Sequence, residues 1–262
     1  MIDVHHHCLP DVDDGPRGWD EAVALCRMSA EAGIETIIAT PHVLRGRWSN
    51  TSRAELQSRL DELQQRIGES PHLLLGSEYF FAHDINEALA NGEIVPLAGS
   101  RYVLIEFASN NIPPMVEQPL YRMQLDGWIP LIAHPERNLV FQSKPELLMS
   151  LIQQGARTQI TTASFTRQFG DTARTSALDW LQRGMVHVVA TDAHNTTKRP
   201  PVVAAARAVV AAAANESIAE ALFVGNPRAI VEGRPFVYEP ELPYPVEKSP
   251  FLGRVKRFLG IS

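Results

Sequence analysis

Short apolar runs alternate with longer amphipathic stretches along this chain, and the apolar runs end in histidines and carboxylates. Ile2, Asp3 and Val4 read as a first strand that runs directly into His5-His6-His7. Residues 19–33 predict a helix, with Ala22, Leu25, Met28 and Ala32 at helical spacing and Gly33 as its C-cap. Residues 34–39 predict a second strand, ending at Thr40-Pro41-His42. Residues 52–67 predict a polar helix with Leu56, Leu60 and Leu63 on one face. Leu73-Leu74-Leu75 predicts a third strand, ending Gly76-Ser77-Glu78. Residues 102–105 predict a fourth, ending at Glu106, and residues 129–133 a fifth, ending His134-Pro135-Glu136-Arg137. Residues 158–161 predict a sixth, ending Thr161-Thr162, and residues 186–190 a seventh, ending Thr191-Asp192-Ala193-His194. Helices are predicted over 116–126, 145–154, 172–183 and, rich in alanine, 202–214.

Strands that alternate with helical crossovers predict an α/β fold with a parallel sheet. With seven such units a closed or nearly closed barrel is the economical arrangement, and function in such barrels gathers at the C-terminal strand ends. His5, His7, His42, Glu78, Glu106, His134, Asp192 and His194 all fall there. Only the sixth strand ends without a metal-type residue.

Composition narrows the class. The chain has 262 residues, 45% of them hydrophobic, enough for one large domain. A formal charge of −6 argues against general nucleic-acid binding. No apolar run approaches the roughly 20 residues of a membrane span, and no signal peptide is evident. Two cysteines, Cys8 and Cys26, do not make a disulfide framework, so a reducing cytoplasm is the expected setting. The expected division is a domain over 1–235 and a proline-containing tail over 236–262. In that tail Lys248, Arg254, Lys256 and Arg257 accompany an apolar stripe of Phe251, Leu252, Val255, Phe258 and Leu259. Docking on the barrel is the first expectation for the tail, contact with another protein the second, and weak attachment to an anionic membrane the third.

Side chains alternate along an extended chain, so His5 and His7 point the same way and His6 points elsewhere. Histidine and carboxylate ligands without cysteine suit Mn, Fe or Zn. A catalytic ion takes about three protein ligands, so this many candidates would serve two or three ions. A carboxylate such as Glu78 can bridge a pair ~3.5–4 Å apart, and bridged ions hold a hydroxide ready to attack while neutralising a phosphate. Arg137 and Arg199 lie close in sequence to His134 and His194, and a guanidinium matches phosphate oxygens. Together these features favour phosphoester over amide hydrolysis.

The His5-x-His7 start, Asp13-Asp14-Gly15, Thr40-Pro41-His42, Gly76-Ser77-Glu78, Ile105-Glu106-Phe107, Ala133-His134-Pro135-Glu136-Arg137 and Thr191-Asp192-Ala193-His194-Asn195 resemble the polymerase and histidinol phosphatase (PHP) superfamily. The likeness is greatest to its bacterial branch of manganese-dependent protein-tyrosine phosphatases, encoded with capsule and exopolysaccharide genes. The resemblance covers residues 1 to about 235. It implies a distorted seven-stranded (β/α)7 barrel, similar to a TIM barrel, with three metal ions. His5, His7, Glu78 and Asp192 would hold the first. Glu78, Glu106 and His134 would hold the second, and Asp14, His42 and His194 the third. Arg137 and Arg199 would hold the substrate phosphate. The implied substrate is phosphotyrosine on a bacterial tyrosine autokinase, attacked by a metal-bridging hydroxide. The sequence departs from the family at Thr161-Thr162, where an Asn-containing segment is expected, and this bears on contacts behind the ligands.

Several residues have plainer readings. His187 reads as a core or surface residue, and Asp11 and Asp13 as surface or loop-shaping carboxylates. Asp3 either bonds a ligand or lies on a loop surface. A thiolate phosphatase needs an arginine six residues after its cysteine; here Asp14 follows Cys8 and Ala32 follows Cys26 at that distance. Two other functions fit the same motifs: a small-molecule phosphatase of the histidinol-phosphate type, and a regulatory module on an inactivated PHP scaffold, which would lack some ligands. None is missing here.

Overall fold

Parallel pairing carries the architecture. The computed structural model describes residues 1–50 and 52–242. Its strands are β1 (Ile2–His6), β2 (Thr36–Ala39), β3 (His42–Val43), β4 (His72–Leu75), β5 (Glu78–Phe80), β6 (Tyr102–Glu106), β7 (Ile129–Ala133), β8 (Arg157–Thr161) and β9 (Val188–Ala190). They form a three-stranded sheet in the order β1-β2-β4 and a six-stranded sheet in the order β3-β5-β6-β7-β8-β9. The helices are α1 (Gly18–Glu31), α2 (Arg53–Ile67), α3 (Ile85–Ala90), α4 (Glu117–Leu125), α5 (Leu139–Ser143), α6 (Pro145–Gln153), α7 (Thr162–Phe165), α8 (Gly170–Gln182), α9 (Ala204–Ala213), α10 (Glu216–Glu220) and α11 (Asn226–Val231).

The second and third predicted strands are each broken in two. Pro41 brings no N–H to the ladder, and the chain kinks between β2 and β3. The partner strand breaks in register, at Gly76-Ser77. Bonds still cross the break: Gly76 N donates to Ala39 O at 2.8 Å, and Glu78 N to Pro41 O at 3.0 Å. A Cβ on Gly76 would lie 2.9 Å from both Ile38 Cγ2 and Leu97 Cδ2, so the kink requires a residue without one. At the other edge Asp192 N donates to His5 O and His7 N to Ala193 O, each at 2.9 Å. No regular ladder closes the ring among the described residues. The strands thus form a mixed α/β fold with two parallel sheets, the class expected from the alternation of strands and helices.

Both faces of the strands are buried, and their alternation sorts side chains into two cores. Val4, Ile38, Leu104, Leu131 and Val188 pack in one cluster. Their neighbours Ile37, Ile105, Ile132 and Val189 join Leu60, Trp180 and Val210 of the helices in the other. Phe236 belongs to the first cluster, stacked on Tyr102 at 5.0 Å. Arg157 and Glu239 pair at 2.9 Å, so residues 236–242 run against the sheet rather than away from it. The predicted basic helix over 251–259 lies outside the described residues. Among the described residues no helix is long and apolar enough to cross a membrane.

Candidate active site

β1 and the residue that follows it deliver His5 and His7 with their tautomers set. His5 Nδ1 lies 2.8 Å from the side-chain amide oxygen Oε1 of Gln159, and His7 Nδ1 lies 2.7 Å from Asp13 Oδ2. Both partners accept, so both Nδ1 atoms carry hydrogen. The two Nε2 atoms face each other at 3.2 Å. Two imidazole nitrogens at that separation need a cation between them, whether proton or metal ion. His6 points the other way, to Ser29 Oγ at 2.9 Å.

Glu78, at the start of β5, is the centre of the arrangement. Its Oε1 lies 2.9 Å from His134 Nε2 and 3.4 Å from His5 Nε2. Its Oε2 lies 2.8 Å from His42 Nδ1 and 3.4 Å from His7 Nε2. Asp192 turns Oδ1 toward His5 and His7, at 3.3 and 3.4 Å. Asp14 Oδ1 approaches His42 Nε2 at 3.2 Å and His194 Nε2 at 3.3 Å. Glu106 closes the far side, 3.8 Å from His42 and 3.9 Å from His134. All nine residues expected from the sequence therefore converge. Ligand atoms within 4.8 Å of one another fall into four overlapping sets: His7, Asp14, His42 and His194; His5, His134 and Asp192; His5, His7 and Glu78; and His42, Glu78 and Glu106. The overlap places His134 beside Asp192 and His42 beside Glu106, a more interleaved grouping than the three separate sets the resemblance implies.

The donors fit divalent ions. Glu106 Oε2 and His194 Nε2 are buried without a hydrogen bond, although charged neighbours stand within 4 Å. Leaving such atoms unpaired is costly, and a cation shared among them removes the cost. Without ions, protons do part of that work. Burial alone would lower His5, but Glu78 and Asp192 outweigh it and raise its pKa to about 9. Burial also opposes charge on His42, and Glu78 with Asp14 raises it to about 10. Glu78 is held well below the usual carboxylate range, against its burial, by His5 and His42. Burial and the neighbouring Glu78 push Glu106 up to about 7. Burial, then Arg137, lowers His134 to about 4, and burial, then His7, lowers His194 to about 4.

Two guanidiniums flank the cluster through Asp192 Oδ2. Arg137 Nη1 donates to it at 2.5 Å, and Arg199 Nη2 also bonds it. The Phe169 ring lies beneath both, 4.3 Å from the Arg137 guanidinium carbon and 6.0 Å from that of Arg199. The two strand ends that carry His134 and Asp192 are left-handed, with φ 30° and 52°. Non-glycine residues persist there only where surroundings over-determine them. At Asp192 the surroundings include Asp3. Its fully buried carboxylate accepts from Thr191 N at 3.0 Å and Thr191 Oγ1 at 2.5 Å, and from His5 N at 3.4 Å. Burial raises Asp3 to about 6. Asp3 thus braces backbone, neither bonding a ligand side chain nor lying on a surface. At His134 the brace is Glu136, which accepts from Thr161 N at 3.1 Å and Ser164 Oγ at 2.6 Å.

Some contributors went unread in the sequence. Asp13 shapes its loop, the second of its two expected readings, through Gly15 N at 2.9 Å and His42 N at 3.0 Å, and its bond to His7 is the part the sequence did not show. Gln159 supplies the contact that the sixth strand seemed to lack; it lies two residues before the strand end, on the side of Thr161. Phe169 and Arg45 carried no local signal, and Glu136, although it stands in the His134-Pro135-Glu136-Arg137 motif, had no assigned role. Of the two readings for His187, core or surface, the structure shows core, its Nδ1 3.1 Å from Thr158 Oγ1. Cys8 and Cys26 are fully buried.

Comparison with known proteins agrees with this geometry. A family model described as capsular polysaccharide synthesis, CpsB/CapC, matches residues 1–232. The tyrosine-protein phosphatase YwqE of Bacillus subtilis is 37% identical over 202 residues, covering 76% of this chain and 79% of that protein. The tyrosine-protein phosphatase CpsB of Streptococcus pneumoniae is 34% identical over 238 residues, covering 88% of this chain and 98% of that protein. A crystal structure from work on YwqE and CpsB, described there as unique metal-dependent tyrosine phosphatases, superposes with a TM-score of 0.88 at 32% identity, over 95% of this chain and 100% of the other.

Proposed function

The chain belongs to the CpsB/CapC family, and on that premise we propose that it is a metal-dependent protein-tyrosine phosphatase. The observation that carries the reading is the convergence on Glu78 of four histidine nitrogens within 3.4 Å, beside two guanidiniums paired to Asp192. Divalent ions held here would polarise phosphoryl oxygens and lower the pKa of water. We assign three such ions, manganese first, to His5, His7, Asp14, His42, Glu78, Glu106, His134, Asp192 and His194. The overlapping donor sets support more than one ion.

The chain's own residues bind and orient the ester. Arg137 and Arg199 each present a planar fork beside the cluster, suited to phosphate oxygens. Phe169 stacks under both and limits their freedom. Asp14, whose side chain is 41% exposed, and the two arginines, each about a quarter exposed, open the cluster to solvent. Such access suits a tyrosine presented on a polypeptide. No thiol takes part: Cys8 and Cys26 lie in the core, and burial with the Cys26 contact raises Cys8 further from its reactive form. We read the two sheets as one distorted seven-stranded barrel whose second and third strands are kinked. We assign as substrate the phosphotyrosines of an autokinase serving capsule or exopolysaccharide synthesis, with the enzyme acting in the cytoplasm.

The test is phosphate release from a phosphotyrosine peptide and from histidinol phosphate, by the same manganese-loaded protein. A kcat/KM at least tenfold higher on the peptide is the expected result. The reverse preference would favour the small-molecule reading and reject this one.

A further inference from the structure

A third arginine, Arg45, reaches the candidate site through His42 and Glu106, where Arg137 and Arg199 reach it through Asp192. After β3 the chain makes a tight antiparallel turn in which Arg45 and Trp48 bond each other twice, N to O, at 3.0 Å. The turn carries Arg45 back over the cluster. Its Nη1 lies 2.6 Å from His42 Nε2, its Nη2 3.2 Å from Glu106 Oε1, and its guanidinium carbon 5.7 Å from the Phe80 ring centre. Arg45 and Arg137 line one cavity of about 260 Å³ that reaches Glu106 and His134. That volume accommodates a phosphoryl group with part of an aryl ring. Trp48 stacks on His42 at 5.4 Å, which fixes the base of the turn.

We propose that Arg45 is a substrate-binding residue, supplying a guanidinium to the phosphoryl group of an aryl phosphate from the Glu106 side. The inference rests on the phosphatase reading and deepens it. Its ground is the geometry of the fork. Glu106 anchors Nη2 at 3.2 Å, and the Phe80 ring supports the guanidinium plane. His42 Nε2 is engaged elsewhere, 3.2 Å from Asp14 and within the donor sets described above, so it is no acceptor for Nη1. Arg45 and Arg137 line one cavity, and a dianionic phosphoryl group placed there accepts from both. Arg47, two residues on, is exposed and lies over Trp48 at 5.1 Å, outside that cavity.

The experiment measures binding of inorganic phosphate to the manganese-loaded full chain by calorimetry, with bound manganese determined on the same samples. Arg45→Ala is expected to weaken phosphate at least tenfold with manganese content unchanged. Arg45→Lys should recover part of the loss, since it keeps the charge but not the fork. Arg47→Ala should bind phosphate as the parent does. Phosphate affinity within twofold of the parent in Arg45→Ala overturns the proposal. So does a loss that comes only with lost manganese, because Arg45 would then serve Glu106 alone. Calorimetry needs no turnover, so a parent protein that binds phosphate through Arg45 yet leaves phosphotyrosine peptide intact would reject the phosphatase reading while sustaining this one.

Discussion

Asp192 does two things at once: Oδ1 faces His5 and His7 while Oδ2 holds both arginines. Replacing Arg137 by Ala should leave bound metal unchanged, because Arg199 still neutralises Oδ2. It should lower kcat/KM roughly ten- to hundredfold, as loss of one charge-assisted phosphate contact of ~1.5–3 kcal/mol requires. Normal kinetics would remove Arg137 from the site. Glu136 supports a prediction of a different kind. Burial raises its carboxyl from 4.5 to about 7. The folded state therefore takes up a proton, so the group's contribution to stability is complete below pH 4.5 and is lost as pH rises through 7. Above pH 7 that costs on the order of 3 kcal/mol. Glu136→Gln keeps an acceptor for Thr161 N and Ser164, so its unfolding free energy should fall less between pH 5 and 8 than the parent's. Parallel pH profiles, by denaturant titration at each pH, would show that Glu136 does not titrate there. At this scale the candidate ligands were legible because histidines and carboxylates recur at strand ends. Gln159 and Phe169 were not, because an amide behind a histidine and a ring beneath an arginine have no sequence pattern.

Loops between elements impose the close approaches. Gly15 follows Asp13-Asp14, and a Cβ there would lie 2.6 Å from His7 O and 3.0 Å from Asp13 Oδ1. Gly15→Ala must push Asp13 away from His7 Nδ1 and shift Asp14. Such crowding costs about 1–3 kcal/mol. Because it acts on the donors, it should lower the melting temperature more in manganese-loaded protein than in chelator-treated protein. Equal drops would make the loop merely structural. Elements were legible in proportion to their periodicity. The helix expected over 19–33 and the strand expected over 129–133 appear as α1 and β7, within two residues at each end. The breaks into β3 and β5, and the four-residue α7 after β8, come from tertiary contacts that no local period encodes. Pro41 alone hinted at the first break.

Across the whole molecule, charge balance links ions, protons and fold. Without ions, the buried carboxylates keep protons on His5 and His42, with pKa values of about 9 and 10. Both values are raised, so the protonated forms persist at pH 7 and are lost only as pH rises past 9. Metal binding must expel those protons, and affinity should rise steadily from pH 6 toward 9. Calorimetry in buffers of different ionisation enthalpy should show net proton release at pH 7; no release would mean that the histidines are already neutral. Replacing Cys8 and Cys26 together by Ala should leave activity on phosphotyrosine nearly intact, since neither thiol reaches the site. A loss of activity with fold and metal content retained would reinstate a thiol mechanism. The measurement that bears most directly on a metal-dependent phosphatase centred on Glu78 is a manganese titration of chelator-stripped protein, following bound metal and phosphate release from a phosphotyrosine peptide together. Activity should be absent without metal and return only as binding passes one equivalent per chain, with Glu78→Ala failing to regain it. Full activity in stripped protein, or saturation at a single equivalent with Glu78→Ala still active, would contradict the account.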